Sequence, residues 1–201
     1  MQENDPRILY MKEALRLARE AQERDEVPIG CIIVHDGKII GSGSNRREEL
    51  QQPSAHAEME AIAQAAKALG SWRLEDCDLY VTLEPCPMCA GAIIQSRIRQ
   101  VYYGAYDPKG GSVNTCIRLF EVPQYNHHPE WEGGILEDEC AGLLKAFFKM
   151  KRKKKTSLPC PTEPGPDQNE SVRTAEDLST SKSETGEESF RQEQNASEQE
   201  I

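Results

Sequence analysis

Hydrophobic residues in the first half of the chain switch from helical to strand-like spacing. Apolar positions three to four residues apart predict an amphipathic helix over 5–24, opened by an Asp-Pro pair. The β-branched run 29–34 predicts a strand, and Asp36-Gly37 predicts a two-residue hairpin turn into a second strand. Residues 41–45, which include two glycines, are interpreted as the irregular end of that second strand.

The second half of the chain continues this alternation. The pattern predicts a helix over 55–69 capped by Ser54, a strand over 79–83, a helix opening at Pro87 and a strand over 101–103. A last amphipathic helix is predicted over roughly 137–151, with a buried side made of Leu143, Leu144, Phe147 and Phe148. Helices that alternate with strands after an opening hairpin indicate an α/β layered domain with a mixed sheet.

Charge is distributed unevenly along the sequence. The chain of 201 residues has a formal net charge of −10, and residues 156–201, with 11 acidic and 3 basic residues, account for −8 of it. Only 8 of those 46 residues are apolar, too few to offset the entropy lost on ordering. We expect a folded domain over 1–152 and a disordered acidic tail over 153–201. A basic run at 149–155, predicted to face solvent, marks the junction.

Cysteine content and hydropathy bear on the compartment. No apolar run approaches the roughly 18 residues of a membrane-spanning helix, and the N-terminus lacks the features of a signal peptide. Seven cysteines without a secretory signal favour thiolates that bind metal or react over a disulfide scaffold. We expect a cytoplasmic protein with no membrane association. Four cysteines are interpreted as small buried residues, and a fifth as an exposed tail thiol: Cys31, Cys77, Cys116 and Cys140, then Cys160.

Two short segments hold the candidate chemistry. They are His56-Ala57-Glu58 and Pro85-Cys86-Pro87-Met88-Cys89, each at a predicted helix N-terminus. Two thiolates within one helical turn and one imidazole supply three protein ligands, which leaves the fourth tetrahedral position of a zinc ion to water. His56, Cys86 and Cys89 are therefore the candidate ligands of one Zn²⁺ per subunit. Glu58 is the candidate group that takes a proton from the water and returns it to the substrate.

Each segment also has a simpler interpretation. A single C-x-x-C motif occurs as a dithiol redox pair or as half of a zinc ribbon, although no second C-x-x-C is present to complete a ribbon. The adjacent pair His127-His128 lies beside turn residues and is not expected to bind metal, because neighbouring side chains on extended chain diverge. H-x-E followed by P-C-x-x-C is far more specific than either motif alone, and it is the signature of zinc-dependent nucleobase deaminases.

Over about residues 6–152 the sequence resembles the bacterial tRNA-specific adenosine deaminases of the TadA type. The matching segments are VPIG at 27–30, GSGSN at 41–45, HAEMEAI at 56–62, LYVTLEPCPMCAGAI at 79–93, SRI at 96–98, YGAYDPKGG at 103–111 and DECAGLLKAFFKMKR at 138–152. HAE and PCxxC are shared with guanine and cytidylate deaminases and define only the superfamily. The segments after residue 95 favour the tRNA enzymes.

This resemblance implies a fold and an activity. The fold is a three-layer α/β/α domain with a five-stranded mixed sheet, of the cytidine deaminase type. The activity is hydrolytic deamination of the wobble adenosine in an arginine tRNA anticodon to inosine, in which zinc-activated water attacks C6 and Glu58 shuttles the proton. The implied partners are the anticodon stem-loop of tRNA and a second copy of the chain in a homodimer.

The resemblance also implies three substrate contacts, each with an alternative. Asn45 would hydrogen-bond the flipped nucleoside, or instead close an Asx turn at the end of the hairpin. Asp107 would accept from a ribose 2′-OH, or only initiate the turn before Pro108. Phe148 or its neighbour Phe147 would stack on a flanking base, or instead face the core.

Two other functions remain open at the level of sequence. One is a deaminase of guanine or another small nucleobase, for which the basic run at 149–155 has no use. The other is a catalytically silent RNA-binding module with structural zinc, for which Glu58 has no use.

Overall fold

The computed structural model describes residues 5–156. Of the tail predicted over 153–201, residues 153–156 continue the last helix, and the remainder, with Cys160, lies outside the described residues. The helices are α1 (Pro6–Glu23), α2 (Arg47–Leu50), α3 (Ala57–Leu69), α4 (Pro87–Gln95) and α5 (Glu137–Thr156), with a 3-10 turn at Leu119–Glu121. The strands are β1 (Gly30–His35), β2 (Lys38–Ser44), β3 (Cys77–Leu83), β4 (Gln100–Ala105) and β5 (Glu130–Gly133). No helix among these residues is long and apolar enough to cross a membrane.

The five strands form one mixed sheet in the order β2-β1-β3-β4-β5. Strand β1 is antiparallel to both β2 and β3, whereas β3, β4 and β5 are parallel to one another. The two-residue turn at Asp36-Gly37 joins His35 to its partner Lys38, and both turn residues have positive φ, as the hairpin prediction requires. The predicted five-stranded mixed sheet is confirmed.

The sheet is covered on both faces, which makes the domain three-layered. Ile33, Leu79 and Val81 point to the side of α3 and α4, in a cluster with Ala61 and Ile93. Their neighbours along the strands point to the opposite side, where Ile32, Val34 and Tyr80 pack with Leu17 of α1. Helix α5 joins α1 on that side through the buried residue Cys140. Because successive strand residues face opposite ways, the central strands are apolar on both faces.

Strand β2 continues through the glycines that the sequence suggested were its irregular end. A Cβ atom added at Gly41 or Gly43 would lie under 3.0 Å from the carbonyl oxygen of Ala61 or Ala57, respectively. Helix α3 therefore packs directly on the strand backbone. The glycines are present to permit this close approach rather than to end the strand.

Other boundaries also differ from the prediction. Helix α3 begins at Ala57 with His56 in the N-cap position, so Ser54 is not its cap. Helix α5 runs to Thr156 instead of ending near residue 151. The short elements α2 and β5 and the 3-10 turn have no strong local pattern and were not anticipated individually.

Two predictions of buried side chains are wrong. Cys116 is exposed, whereas the other three cysteines interpreted as buried are so. Phe148, predicted on the buried side of α5, is 44% exposed. Lys149, Arg152 and Lys153 of the basic run are exposed, as predicted. Lys151 also contacts the domain, since its Nζ lies 2.8 Å from Asp25 and 5.3 Å from the centroid of the Phe147 ring.

Substitution of Gly43 by alanine tests the strand–helix contact. We expect Gly43→Ala to destabilise the domain by about 1–3 kcal/mol, because the backbone of α3 must move away from β2. Gly142→Ala is the matched control, since no atom lies within 4 Å of an added Cβ there and alanine is favoured inside a helix. Urea unfolding of both variants measures the difference. Equal stability of Gly43→Ala and wild type would contradict the contact.

Candidate metal centre and active site

The candidate ligands lie at the N-termini of two helices that begin at the same edge of the sheet. His56 is the N-cap residue of α3, Cys86 is the N-cap residue of α4, and Cys89 lies in the first turn of α4. Strands β2 and β3, which precede these helices, both run antiparallel to β1 and therefore end at the same edge. The topology thus brings together two segments that are 30 residues apart in sequence.

The three ligand atoms have the spacing of a tetrahedral metal site. Nδ1 of His56 lies 3.4 Å from Sγ of Cys89 and 3.7 Å from Sγ of Cys86. All three atoms lie within 4.8 Å of one another. Zinc–sulfur and zinc–nitrogen bonds of ordinary length at the tetrahedral angle place the two atoms about 3.6 Å apart, and the observed distances bracket that value. The site therefore fits a zinc ion held by one imidazole and two thiolates.

The two thiols differ in acidity because they share hydrogen bonds. The hydrogen bond from Cys89, aided by His56, lowers the pKa of Cys86 to about 4. The same hydrogen bond to Cys86, together with burial, raises the pKa of Cys89. The hydrogen bond with Cys86 raises the pKa of His56. The fold therefore already favours the thiolate form of Cys86. A bound cation would replace the protons that His56, Cys86 and Cys89 share without it.

Glu58 is buried beside these ligands with one oxygen unsatisfied. The side chain is 4% exposed, and its Oε2 has no hydrogen-bond partner among the described residues. Burial raises the pKa of Glu58. A buried carboxylate oxygen without a hydrogen-bond partner is costly to a fold. Its place in the first turn of α3, two residues after His56, makes Glu58 the candidate proton-transfer group.

Asn45 takes the capping role that the sequence gave to Ser54. Its side-chain Oδ1 accepts a hydrogen bond of 3.1 Å from the backbone N–H of Ala57, the first residue of α3. This bond spans 12 residues, so it is not the Asx turn that was the alternative for this position. The buried Asn45 side chain therefore lies next to the helix turn that contains Glu58.

Asp107 forms the turn that was predicted as its simpler role. Its Oδ1 accepts a hydrogen bond of 3.0 Å from the backbone N–H of Lys109. The same residue also lines a groove of about 540 Å³ between the chain after β4 and helix α5. The turn and a position beside an open groove are thus both observed.

The groove combines aromatic and basic side chains. Its lining residues are Val27, Leu83, Tyr106, Asp107, Lys109, Leu144, Lys145, Phe148 and Arg152. Phe148 is 44% exposed, whereas Phe147 is 3% exposed and belongs to the core. Of the two adjacent phenylalanines, the structure therefore places Phe148 at the groove.

A second, smaller pocket of about 230 Å³ is lined by His56. The segment of α2 and the residues after it form its wall. The buried Glu26 holds this segment in place, since its carboxylate accepts a hydrogen bond of 2.8 Å from the backbone N–H of Glu49. Nothing in the local sequence indicated that Glu26 has this role.

The adjacent histidines at 127 and 128 both contact the backbone. His127 and His128 each hydrogen-bond a backbone carbonyl oxygen at 2.7 Å, in agreement with their exclusion as metal ligands.

Glu84, which sequence reasoning missed, lies two residues before Cys86 and is buried. Burial alone would raise the pKa of Glu84, but backbone N–H groups that donate to its carboxylate hold the pKa below its ordinary value. Its position directly before PCxxC was the only available signal.

Known proteins are similar in sequence to this chain over nearly all of the described residues. The MafB19-like deaminase family matches residues 5–152. A tRNA-specific adenosine deaminase of Bacillus subtilis (strain 168) is 54% identical over 147 residues, which are 73% of this chain and 91% of the relative. One from Agrobacterium fabrum is 51% identical over 146 residues, 73% of this chain and 96% of the relative. This chain belongs to the family of tRNA-specific adenosine deaminases.

Solved structures agree with membership of the tRNA-specific adenosine deaminase family. A structure from studies of A-to-I editing by tRNA:A34 deaminases at the wobble position matches with a TM-score of 0.66 and 51% identity. It covers 68% of this chain and 99% of the other. A guanine deaminase from Nitrosomonas europaea matches with a TM-score of 0.61 and 24% identity, over 70% of this chain and 83% of the other. The latter likeness concerns the fold alone.

The burial of Glu58 generates a prediction about stability. We expect metal-free Glu58→Gln to unfold at a temperature at least about 2 °C above that of metal-free wild type, since the substitution removes a buried ionisable carboxyl group that has one oxygen without a hydrogen-bond partner in the described residues. Glu121→Gln, at an exposed side chain, is the control and should leave the unfolding temperature unchanged. Calorimetry at neutral pH after chelation measures both. A lower unfolding temperature for Glu58→Gln would contradict an uncompensated charge.

Proposed function

We propose that this protein hydrolyses the wobble adenosine of a tRNA anticodon, that of arginine tRNA, to inosine. The observation that most strongly supports hydrolytic deamination is the buried carboxylate of Glu58 beside three converging metal-ligand atoms. The groove of aromatic and basic side chains supports an RNA substrate. We further propose that the chain acts as a homodimer in the cytoplasm, with residues 1–152 as the catalytic domain and 153–201 as an appended acidic tail.

The metal would be one zinc ion per subunit, held by His56, Cys86 and Cys89. Two thiolates and one imidazole suit zinc, and three protein ligands keep one position open. When bound, the ion supplies the Lewis acidity that activates water for attack on C6 of adenine. The thiolates offset its charge, so proton removal requires help from a neighbouring base.

Glu58 would supply that help. Deamination requires one proton at the ring nitrogen next to C6 and another at the departing ammonia. The Oε2 atom of Glu58 is the group available to take up and release these protons, because no residue described in the structure hydrogen-bonds to it. Its raised pKa favours proton retention between the two transfers.

Asn45 would orient the nucleoside over this site. Its Oδ1 is committed to the N–H of Ala57, which fixes the side chain relative to α3. An amide also offers two N–H donors on Nδ2. We propose that these donate to the acceptors of the extruded nucleoside.

The groove lined by Phe148 would take the neighbouring nucleotides. Anticodon-loop bases are already unpaired, so less free energy is needed to extrude one than in a duplex. The exposed ring of Phe148 offers a stacking surface, and Lys109 and Lys145 offer charge to phosphates. Asp107 lies at the same groove, where its carboxylate would accept from a ribose 2′-OH.

The decisive experiment offers the purified protein two substrates. We expect inosine at the wobble position when a tRNA with adenosine there is incubated with the protein and sequenced. Guanine, the substrate suggested by the shared fold of guanine deaminases, serves as the competing substrate and should not be turned over. Turnover of guanine without inosine in the tRNA would refute the proposal.

Removal of the Glu58 carboxylate separates proton transfer from metal binding. We expect Glu58→Ala to keep one zinc per chain and to lose roughly two to four orders of magnitude in deamination rate. Cys86→Ala is the matched comparison and should lose the metal itself. Elemental analysis of both proteins and single-turnover kinetics measure the difference. Loss of zinc from Glu58→Ala would show that Glu58 is a ligand and not the proton shuttle.

The adjacent phenylalanines provide a matched pair for the groove. We expect Phe148→Ala to weaken tRNA binding by about 1–3 kcal/mol with little change in stability, because it removes an exposed stacking surface. Phe147→Ala should instead cost about 3–5 kcal/mol of folding free energy, since it leaves a cavity in the core. Unfolding curves and KM for tRNA distinguish them. An unchanged KM in Phe148→Ala would remove this residue from the substrate site.

A further inference from the structure

Glu84 is a buried carboxylate around which a distant loop closes. The side chain is 2% exposed and lies between strand β3 and Cys86. The Asp107 loop, defined as residues 106–118 between β4 and the 3-10 turn, donates five hydrogen bonds to it. Oε1 accepts from the backbone N–H groups of Val113 (3.1 Å), Asn114 (2.7 Å) and Thr115 (3.0 Å). Oε2 accepts from the N–H of Asp107 (3.1 Å) and Oγ1 of Thr115 (2.8 Å).

The next residue adds to the same attachment. The carbonyl oxygen of Pro85 accepts both the backbone N–H (2.9 Å) and the hydroxyl (2.8 Å) of Ser112. Gly111 allows this close approach, because a Cβ there would lie under 3.0 Å from the Glu84 carboxyl group. The loop thus fits closely around residues 84 and 85, directly before the first cysteine ligand.

Saturation of the carboxylate excludes a chemical role for Glu84. An ionised carboxylate offers about four lone-pair sites, and the four backbone N–H donors already match that number, with the shared Thr115 hydroxyl also within reach of Oε2. No acceptor capacity remains for a metal ion, a water molecule or a substrate. Glu58 differs in this respect, since one of its oxygens has no hydrogen-bond partner in the described part of the chain. Glu84 therefore acts through the loop that it holds.

That loop contains three residues that line the groove, Tyr106, Asp107 and Lys109. The hydrogen bond from the Asp107 N–H to Glu84 fixes the start of the loop, and those from residues 113–115 fix its far side. Thr115 lies between the two, because the single hydrogen of its hydroxyl is shared between Oε2 of Glu84 at 2.8 Å and the carbonyl oxygen of Asp107 at 2.6 Å. Both ends of the loop are thereby held against the segment that leads into the metal site.

We propose that Glu84 is a positioning residue for substrate binding. It holds the Asp107 loop at a fixed position relative to the metal site, so that the groove is already formed before RNA binds. The inference rests on the proposed function, since it assigns the groove to the RNA. Pre-ordering the loop removes an entropy loss that binding would otherwise incur. The effect belongs in KM rather than in the chemical step.

The test uses the full chain with Glu84→Gln. An amide in place of one carboxylate oxygen directs N–H groups at the backbone donors, so at least one hydrogen bond is lost wherever the amide nitrogen lies. We expect KM for tRNA with wobble adenosine to rise at least tenfold, kcat to stay within about threefold, and zinc to stay at one per chain. Hydrogen exchange at the amides of residues 113–115 should accelerate at least tenfold, with core strands unaffected.

Two further variants support the comparison. Glu75→Gln makes the same chemical change at an exposed side chain away from the loop and should alter none of these quantities. Thr115→Val removes the hydroxyl donor but keeps the branched shape, and it should raise KM in the same direction by a smaller factor. It replaces Glu84→Gln as the test if that variant does not fold.

The possible results discriminate clearly. Loss of zinc from Glu84→Gln would mean that the residue supports the metal site, and an unchanged KM with an accelerated loop would mean that loop order is irrelevant to binding. Faster exchange throughout the core with unchanged KM would mean a role in global stability alone. Each of these overturns the positioning role while wild type still forms inosine. Failure of wild type to form inosine would refute the proposed function and this inference with it.

Discussion

The close packing of α3 on strand β2 is the constraint on which the candidate site depends. Because the strand presents glycine at positions 41 and 43, the helix backbone lies directly on it, and the start of the helix has little freedom to shift. Asn45, at the end of the same strand, then caps that helix through the N–H of Ala57. The imidazole of His56 and the carboxylate of Glu58 are consequently held at a fixed height above the sheet edge, where α4 supplies the two thiols.

Glu58 and Glu84 are both buried, but their surroundings give them different roles. Glu58 keeps an oxygen without a hydrogen-bond partner in the described residues, and burial raises its pKa. Glu84 is surrounded by donors, and its pKa is lowered although it is buried. The first arrangement destabilises the charge and suits a group that exchanges protons. The second stabilises the charge and suits a group that holds neighbouring backbone in place.

The fold itself does not select the substrate. A guanine deaminase shares it at 24% identity, so the layers and the sheet are compatible with small-molecule substrates. The proposed substrate depends instead on the groove in which Phe148 is exposed and which Lys109 and Lys145 also line. Residues of helix α5 and of the Asp107 loop form much of the surface of that groove. A proposal for RNA therefore rests on loop and helix positions and not on the architecture.

Features that depend on neighbours along the chain could be predicted from the amino-acid sequence. Helical and strand periodicities, the Asp36-Gly37 turn and the spacing of the cysteines at 86 and 89 are local, and local geometry follows from a few consecutive residues. Contacts between residues far apart along the chain became visible only in the folded domain. Asn45 rather than Ser54 caps α3, and Phe148 rather than Phe147 faces the groove. Glu84 accepts hydrogen bonds from a loop 23 to 31 residues away. Such contacts arise from how elements pack in space, and no periodicity along the chain records them.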